Sequence, residues 1–369
     1  MKNVHGIIYA YHDYNELREL SEKRTSAALP FCGRYRLIDF SLSAMMHAGI
    51  YNVGVIMQRD YQSLIDHLGN GRAWNMGRRT GGLRMLPPFG VPGSHTGQYE
   101  GCMEALRAVL TYISEIDEDY VVLTRGDLCA SVDLAAALER HMSSGADVTA
   151  VCTERELHYT HHRFIPDENG FASELVCMQQ RSGRGVASLE MYILSKKLLL
   201  ELVEWSSEGH KLHFHRDALL HLMANGGRVA LYMHKGYGRH IISVADFYEA
   251  NMDMLSAQNL EDLFTERPVN TRERTDVSTY YSDVAAVKNS LVADGCIIEG
   301  EVENSVIFCG VKIDAGASVK NCIVMNDTVV GEGSTLEYII SDKNVSIAPY
   351  STLRGSPNLP FVIPKKTVI

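Results

Sequence analysis

Over the first 255 residues, short apolar runs alternate with stretches whose apolar positions recur at helical spacing. "YNVGVIMQ" precedes "DYQSLIDHL", and "DYVVLTRGD" precedes "DLAAALERHMSSG" and then "DVTAVCTE". This alternation predicts βαβ units, an α/β domain whose mostly parallel sheet is covered by helices, because parallel neighbours need a crossover that a helix supplies. Ile7 to Ala10 predicts the first strand, and "SKKLLLELVEW" a helix with one buried face. The strand in "VVLTRGD" ends on a charged residue, Asp127. Ligands of open α/β sheets gather beyond the carboxyl ends of strands, so Asp127 is where chemistry is expected, the competing role being a turn or helix cap. The first strand is less orthodox. A phosphate loop would follow it with glycines, yet the next residues are Tyr11, His12, Asp13 and Tyr14.

The pattern then changes. Residues 256–283 are polar and aperiodic, as a connector would be. From 284 to 369 apolar residues recur six apart: Val292 and Ile298; Ile313 and Val319; Val324, Val330 and Leu336; Ile347 and Leu353. Turn-forming stretches such as "IDAGAS" and "VGEGST" follow them. A hexad repeat predicts a parallel β-helix in which each coil stacks one aliphatic residue per face; an antiparallel sheet with coincidental spacing is the alternative. Such coils leave open ends suited to assembly or regulation. The chain therefore divides into 1–255, a connector at 256–283, and a repeat domain at 284–369.

Composition narrows the choice of partner. A formal net charge of -10 with a pI near 5.8 argues against nucleic acid, while leaving room for a local Arg/Lys pocket that takes a phosphate ester. Eight scattered cysteines without a CxxC pair fit reduced thiols of a cytoplasmic protein. No apolar run is long enough for a signal sequence or a membrane span, so no membrane partner is expected. His158, His161 and His162 fall in what reads as a loop, and His213 and His215 alternate along what reads as an extended segment. Neither group has ligand partners at recognisable spacing, so packing or surface roles are expected rather than zinc.

Three blocks, "KRTSAALPFCGRYRLIDFSLS", "HLGNGRAWNMGRRTGGLRMLPP" and "GYGRHIISVADFYEANMDML", together with the hexads, resemble the bacterial glucose-1-phosphate adenylyltransferases (ADP-glucose pyrophosphorylases). The resemblance implies a Rossmann-like nucleotidyltransferase domain joined to a left-handed parallel β-helix. It also implies a reaction in which glucose 1-phosphate attacks the α-phosphorus of ATP and pyrophosphate leaves. That chemistry depends on positioning and on neutralising charge with backbone N–H groups, Arg, Lys and a carboxylate-held Mg²⁺.

Set against the family's motifs, the site is degraded. Tyr11, His12 and Tyr14 stand at the glycines of the G-G-x-G-x-R-L loop and Glu16 at its arginine; Ser26 replaces the lysine of K-R-A-K-P-A. Cys102 replaces the hydroxyl residue of G-T-A-D-A, and "VCMQQRSG" lacks the sugar-phosphate lysine. Asp127 is retained from S-G-D, but His240 replaces the second metal aspartate and is a poor ligand for a hard cation. One lost electrostatic contact can lower turnover by ~10²–10³-fold. No catalytic or metal site, no cofactor and no useful turnover are expected of this chain alone; Mg²⁺ and ATP belong to a catalytic partner.

A preserved scaffold with a broken site resembles the GlgD-type regulatory subunit of Firmicutes glycogen biosynthesis, which implies a heterotetramer with a catalytic subunit, homo-oligomers being open to it alone. Arg24, Arg36 and His67, with Arg272, Arg274 and Arg354 aligned more loosely, match positions implied for an anionic, sugar-phosphate effector. The competing roles are structural or solvated charges. Two other functions stay open: an active nucleotidyltransferase with a rearranged site, and an assembly subunit with no ligand site.

Overall fold

The computed structural model describes residues 3–10, 16–88, 99–155, 162–177 and 184–369. Its centre is the parallel ladder that the alternation predicts. Strand β1 (Val4–Tyr9), wholly buried, lies between β2 (Val53–Ile56) and β4 (Tyr120–Arg125), and β3 (Leu83–Leu86) extends the sheet beyond β2, all parallel. Helix α1 (Ile38–His47) is buried all round from Ile38 to Met45, α2 (Leu134–Ser144) is buried on one side, and the Asp133 carboxylate caps α2 by accepting from Ala136 N at 3.0 Å. Covered on both faces, β1, β2 and the Val121–Leu123 centre of β4 are buried throughout, whereas the edge strand β3 exposes Arg84.

On the far side of β4 the sheet becomes mixed. Strand β8 (Val186–Ser195) runs antiparallel to β4 and, being ten residues long, also pairs antiparallel with β5 (Val148–Thr153) and β6 (His162–Pro166). Strand β7 (Ala172–Cys177) adds to β6, and β9 (Val229–Met233) runs parallel to β5. The register of β8 slips between Ser188 and Met191, and within this bulge Glu190 adopts a left-handed backbone, φ 49°. Helix α3 (Lys196–Trp205) buries Leu199, Leu202 and Val203, the face expected of "SKKLLLELVEW". After it a separate two-stranded ribbon pairs His240 with Leu128, and a Ser243/Asp246 capping box opens α4 (Val244–Asp253).

The connector is not irregular throughout. Ala257–Phe264 forms helix α5, which buries Leu263 and stacks Phe264 on Tyr35 with ring centroids 4.8 Å apart. A single apolar edge on eight residues is enough for a docked helix and too little to show a period. The repeat domain also starts before 284, since Tyr280–Tyr281 already pairs in parallel with Ile297–Ile298. Three five-stranded parallel sheets then form the faces of the left-handed β-helix.

Ile298, Ile313, Val330 and Ile347 stack in one inner column and Val302, Val319 and Leu336 in another. The chain turns between faces on left-handed residues: Gly295, Gly310, Asp327 and Asn344 at one corner, Asn289, Asn304, Asn321 and Tyr338 at the next. Glycine and asparagine suit these positions because they tolerate φ > 0. The third face turns outward with Val306, Phe308, Ile323, Met325 and Ile340, which join a core containing Leu17, Phe31, Phe40, Phe247 and Met254 of the α/β domain. Among the described residues no helix is long and apolar enough to cross a membrane.

Candidate functional site

The ribbon pairing Leu128 with His240 draws the chain just beyond β4 against the segment entering α4, and Asp127 lies between them, 1% exposed. Its carboxylate is fully engaged. Oδ1 accepts from Arg125 Nε at 2.8 Å and faces His240 Nδ1 at 3.4 Å, while Oδ2 accepts from Arg125 Nη2 at 2.7 Å and from Ser26 Oγ at 3.5 Å. Burial pushes this carboxyl's pKa up, but the Arg125 charge and hydrogen bonds, with His240, outweigh it and hold the group well below the usual carboxylate range. Arg125 also places Nη1 3.5 Å from Glu190 Oε2.

Above this chain of charges the space is nearly filled. A cavity of about 30 Å³ is lined by Tyr9, Cys102, Arg125, Glu190, Tyr192 and Phe214 with neighbouring histidines. Cys102 opens a short helix, and its Sγ accepts the N–H of Phe214 at 2.9 Å, binding the cavity wall together. Glu16 lies elsewhere, on the wall of an open groove of about 830 Å³ shared with Arg18, Val244, Arg354, Leu359 and Phe361. Tyr11, His12 and Tyr14 lie outside the described residues, as do His158 and His161 and all of "VCMQQRSG" beyond Cys177.

The histidines depart from the sequence expectation. His162 is not in a loop; it begins β6 and is buried, meeting Tyr192 Oη at 2.6 Å. His215 is not in an extended run, because the Asp217 carboxylate accepts N–H bonds from Leu212 and His213, both 2.8 Å, and winds Phe214–Leu219 into a helical turn. The His162 and His215 rings stack 4.3 Å apart at 7°, with Glu190 beside them, and one ligand atom from each of the three lies within 4.8 Å of the others. Zinc needs nitrogen lone pairs converging at about 2 Å in each ring plane. Parallel stacked rings cannot supply that, and the guanidinium beside Glu190 opposes a second cation.

The Mg²⁺ that the family's chemistry implies fits no better. Its one retained acid is bound on both oxygens to an arginine, and the opposite position offers an imidazole whose Nε2 is buried without a partner among the described residues.

The residues matched to an effector separate into two groups. Arg24, Arg36 and Arg272 converge where the α/β domain meets the β-helix, joined by Lys343 and Lys365, which no sequence motif singles out. Arg24, buried, pairs with Asp342 across the domain boundary. Arg36 donates Nη1 to Ser63 O and Oγ at 2.7 and 2.9 Å, and Arg272 donates to Asp66 O. Burial, reinforced by Arg36 and Arg24, lowers the Lys343 pKa to about 7, and burial lowers that of Arg36 to about 10.

His67 supports this corner from beneath, bonded to Asp39 at 2.5 Å, while Asp39 in turn accepts the Arg36 backbone N–H at 2.9 Å. The second group lies elsewhere. Arg274 is bound to Asp276 and Asp327 on the β-helix, and the exposed Arg354 sits near Glu337 beside the open groove.

Residues 15–257 match the nucleotidyl transferase family and residues 277–355 the GlmU-like C-terminal hexapeptide family. The chain is 31% identical to a glucose-1-phosphate adenylyltransferase of Fusobacterium nucleatum, covering 86% of this chain and 84% of the relative. It is 31% identical to one of Fervidobacterium nodosum over 94% of this chain and 84% of that one. For one of Bacillus cytotoxicus the figures are 29%, 98% and 97%.

Proposed function

This chain belongs to the glucose-1-phosphate adenylyltransferase family, and we propose that it serves there as a GlgD-type, non-catalytic subunit that stabilises and activates a catalytic partner in a heterotetramer for glycogen synthesis. The observation that carries this reading is the cavity at the strand ends: its roughly 30 Å³ holds about a water molecule or two, against ~300–1,000 Å³ for a small-molecule site. Arg125, Tyr192 and Phe214 are among the side chains that close around it. Among the described residues no lysine lines it. In contrast, the scaffold and the junction of the two domains are intact, which suits a subunit acting through contact.

The cationic corner of Arg24, Arg36, Arg272, Lys343 and Lys365 gives such a subunit a place to sense a sugar phosphate. Like charges held together at the cost of a depressed Lys343 pKa gain from an anionic ligand. Loss of the calorimetric signal for sugar phosphates in Arg36→Ala is expected; no heat from wild type and variant alike removes this part of the proposal.

The decisive experiment assays this chain, a catalytic subunit and their mixture for pyrophosphate release side by side. The chain alone is expected to be silent and the mixture to exceed the partner alone. A mixture equal to the partner, or Mg²⁺-dependent release by this chain that Asp127→Asn abolishes, overturns the reading.

A further inference from the structure

Glu16 and Arg354, set apart in the sequence for different reasons, line one groove, the opening of about 830 Å³ between the α/β domain and the last coil of the β-helix. That coil is built differently from the others. Elsewhere the chain crosses from the second face to the third in one or two residues (289–290, 304–305, 321–322 and 338), but the last crossing takes six, 355–360. Ser356 and Leu359 exchange backbone hydrogen bonds of 3.1 Å each and close this excursion into a tight turn. It carries Leu359 and, at its end, Phe361 out to solvent, 63% and 51% exposed. The facing wall is the turn Arg18–Leu20, anchored by the buried Leu17 and Leu20. Arg18 there has left-handed backbone, φ 45°, which a non-glycine residue keeps only where its surroundings impose it.

The charges on these walls cancel, Glu16 and Glu19 against Arg18 and Arg354. Among the described residues the side chains of Glu16, Arg18 and Glu19 have no hydrogen bond or ion pair, and Arg354 has only a 3.6 Å approach to Glu337. A charged ligand would gain from two of these four groups and be opposed by the other two. A neutral ligand rich in hydroxyls uses all four, since carboxylates accept and guanidiniums donate, each through two atoms that suit a pair of neighbouring hydroxyls. Its C–H faces then lie against Leu359, Pro360 and Phe361. The groove is open to solvent, so a chain can run on beyond it.

We propose that this groove binds a neutral α-1,4-linked glucan chain and holds the subunit on the polymer it helps to make. The choice of an α-glucan rests on the glycogen-synthesis reading above, whereas the neutral polyhydroxyl chemistry rests on the groove itself. None of Arg24, Arg36 and Lys343 lines it, so the site is separate from the cationic corner.

Affinity electrophoresis of the full chain tests this, in native gels holding glycogen, dextran sulfate or no polymer, with calorimetry on maltoheptaose to measure affinity. Glycogen is expected to slow wild type, and Phe361→Ala to weaken maltoheptaose binding about tenfold. Leu359→Ser, at the more exposed of the two positions, should show the same loss and serves if Phe361→Ala fails to fold. Added salt should leave the affinity unchanged, because no net charge is neutralised on binding.

Wild type that glycogen does not slow overturns the proposal, as does retardation unchanged in both variants, or retardation by dextran sulfate alone, which marks a site for charged ligands. Partner activation is not read in this experiment. A chain that binds glycogen yet leaves a catalytic subunit unaffected removes the proposed function and keeps the glucan site, and a chain that activates without binding glycogen does the reverse.

Discussion

At the scale of single residues, Arg24 and Lys343 show two uses of charge at the domain junction. Arg24 is spent on Asp342, and both are buried. Removing one member of such a pair strands the other charge, so Arg24→Ala should lower the unfolding free energy by about 3–5 kcal/mol, whereas replacing both by leucine should recover most of it; denaturant titration of the three proteins measures this.

Lys343 is different because its charge is optional. Its pKa falls from 10.5 to about 7, so between these values the unfolded chain holds a proton that the folded one has released. Folding stability therefore rises with pH across that window through this group. An anion reverses the preference by favouring the charged lysine, with Arg36, Arg24 and Lys365 around it and Asp342 opposing. Phosphate should accordingly raise the thermal midpoint more at pH 6 than at pH 9, and Lys343→Gln should flatten that dependence.

Arg24 and Arg36 are legible in the sequence through family motifs and Arg272 through a looser alignment, but Lys343 and Lys365 are not. They reach the corner only through the turns of the β-helix, and nothing local marks them. Arg125 was in plain view within "RGD", yet its partner Glu190 lies 65 positions later, on a bulge that no periodicity announces.

At the scale of elements, the hexads announced the β-helix because each inward aliphatic residue recurs once per face. The corners are less regular in sequence, since glycine, asparagine, aspartate and tyrosine all occupy them, and only φ reveals their equivalence. Gly310 tests the corner. Its φ is 72°, and a Cβ there would lie 2.5 Å from Asp327 Oδ1, which Arg274 holds at 2.6 Å. Gly310→Ala should cost about 1–2 kcal/mol through left-handed backbone and crowding, read as a lower thermal midpoint with an unchanged circular dichroism spectrum. Helix α5 is not legible in the sequence for the opposite reason: its apolar side is a short edge, and its stability comes from docking Leu263 and Phe264 rather than from its own sequence.

At the scale of the whole molecule, one face of the β-helix departs from the hexad rule and thereby joins the two domains. In "SVIFCG", "NCIVMN" and "EYIISD" the apolar residues run on instead of appearing once in six, because these strands are covered on both sides. Phe308 is the largest fully buried side chain that this face sends into the shared core. Truncating a buried phenylalanine costs about 3–5 kcal/mol, and here the loss falls on the junction rather than on either domain's own core.

Phe308→Ala should therefore unfold in two steps where wild type unfolds in one, the β-helix outlasting the α/β domain or the reverse, and should expose residues 265–279 to limited proteolysis. Calorimetry with parallel proteolysis checks both. If melting stays a single transition and the connector stays resistant, the two domains are coupled by something other than this core. A signal from the cationic corner would then have to reach a partner subunit without crossing it.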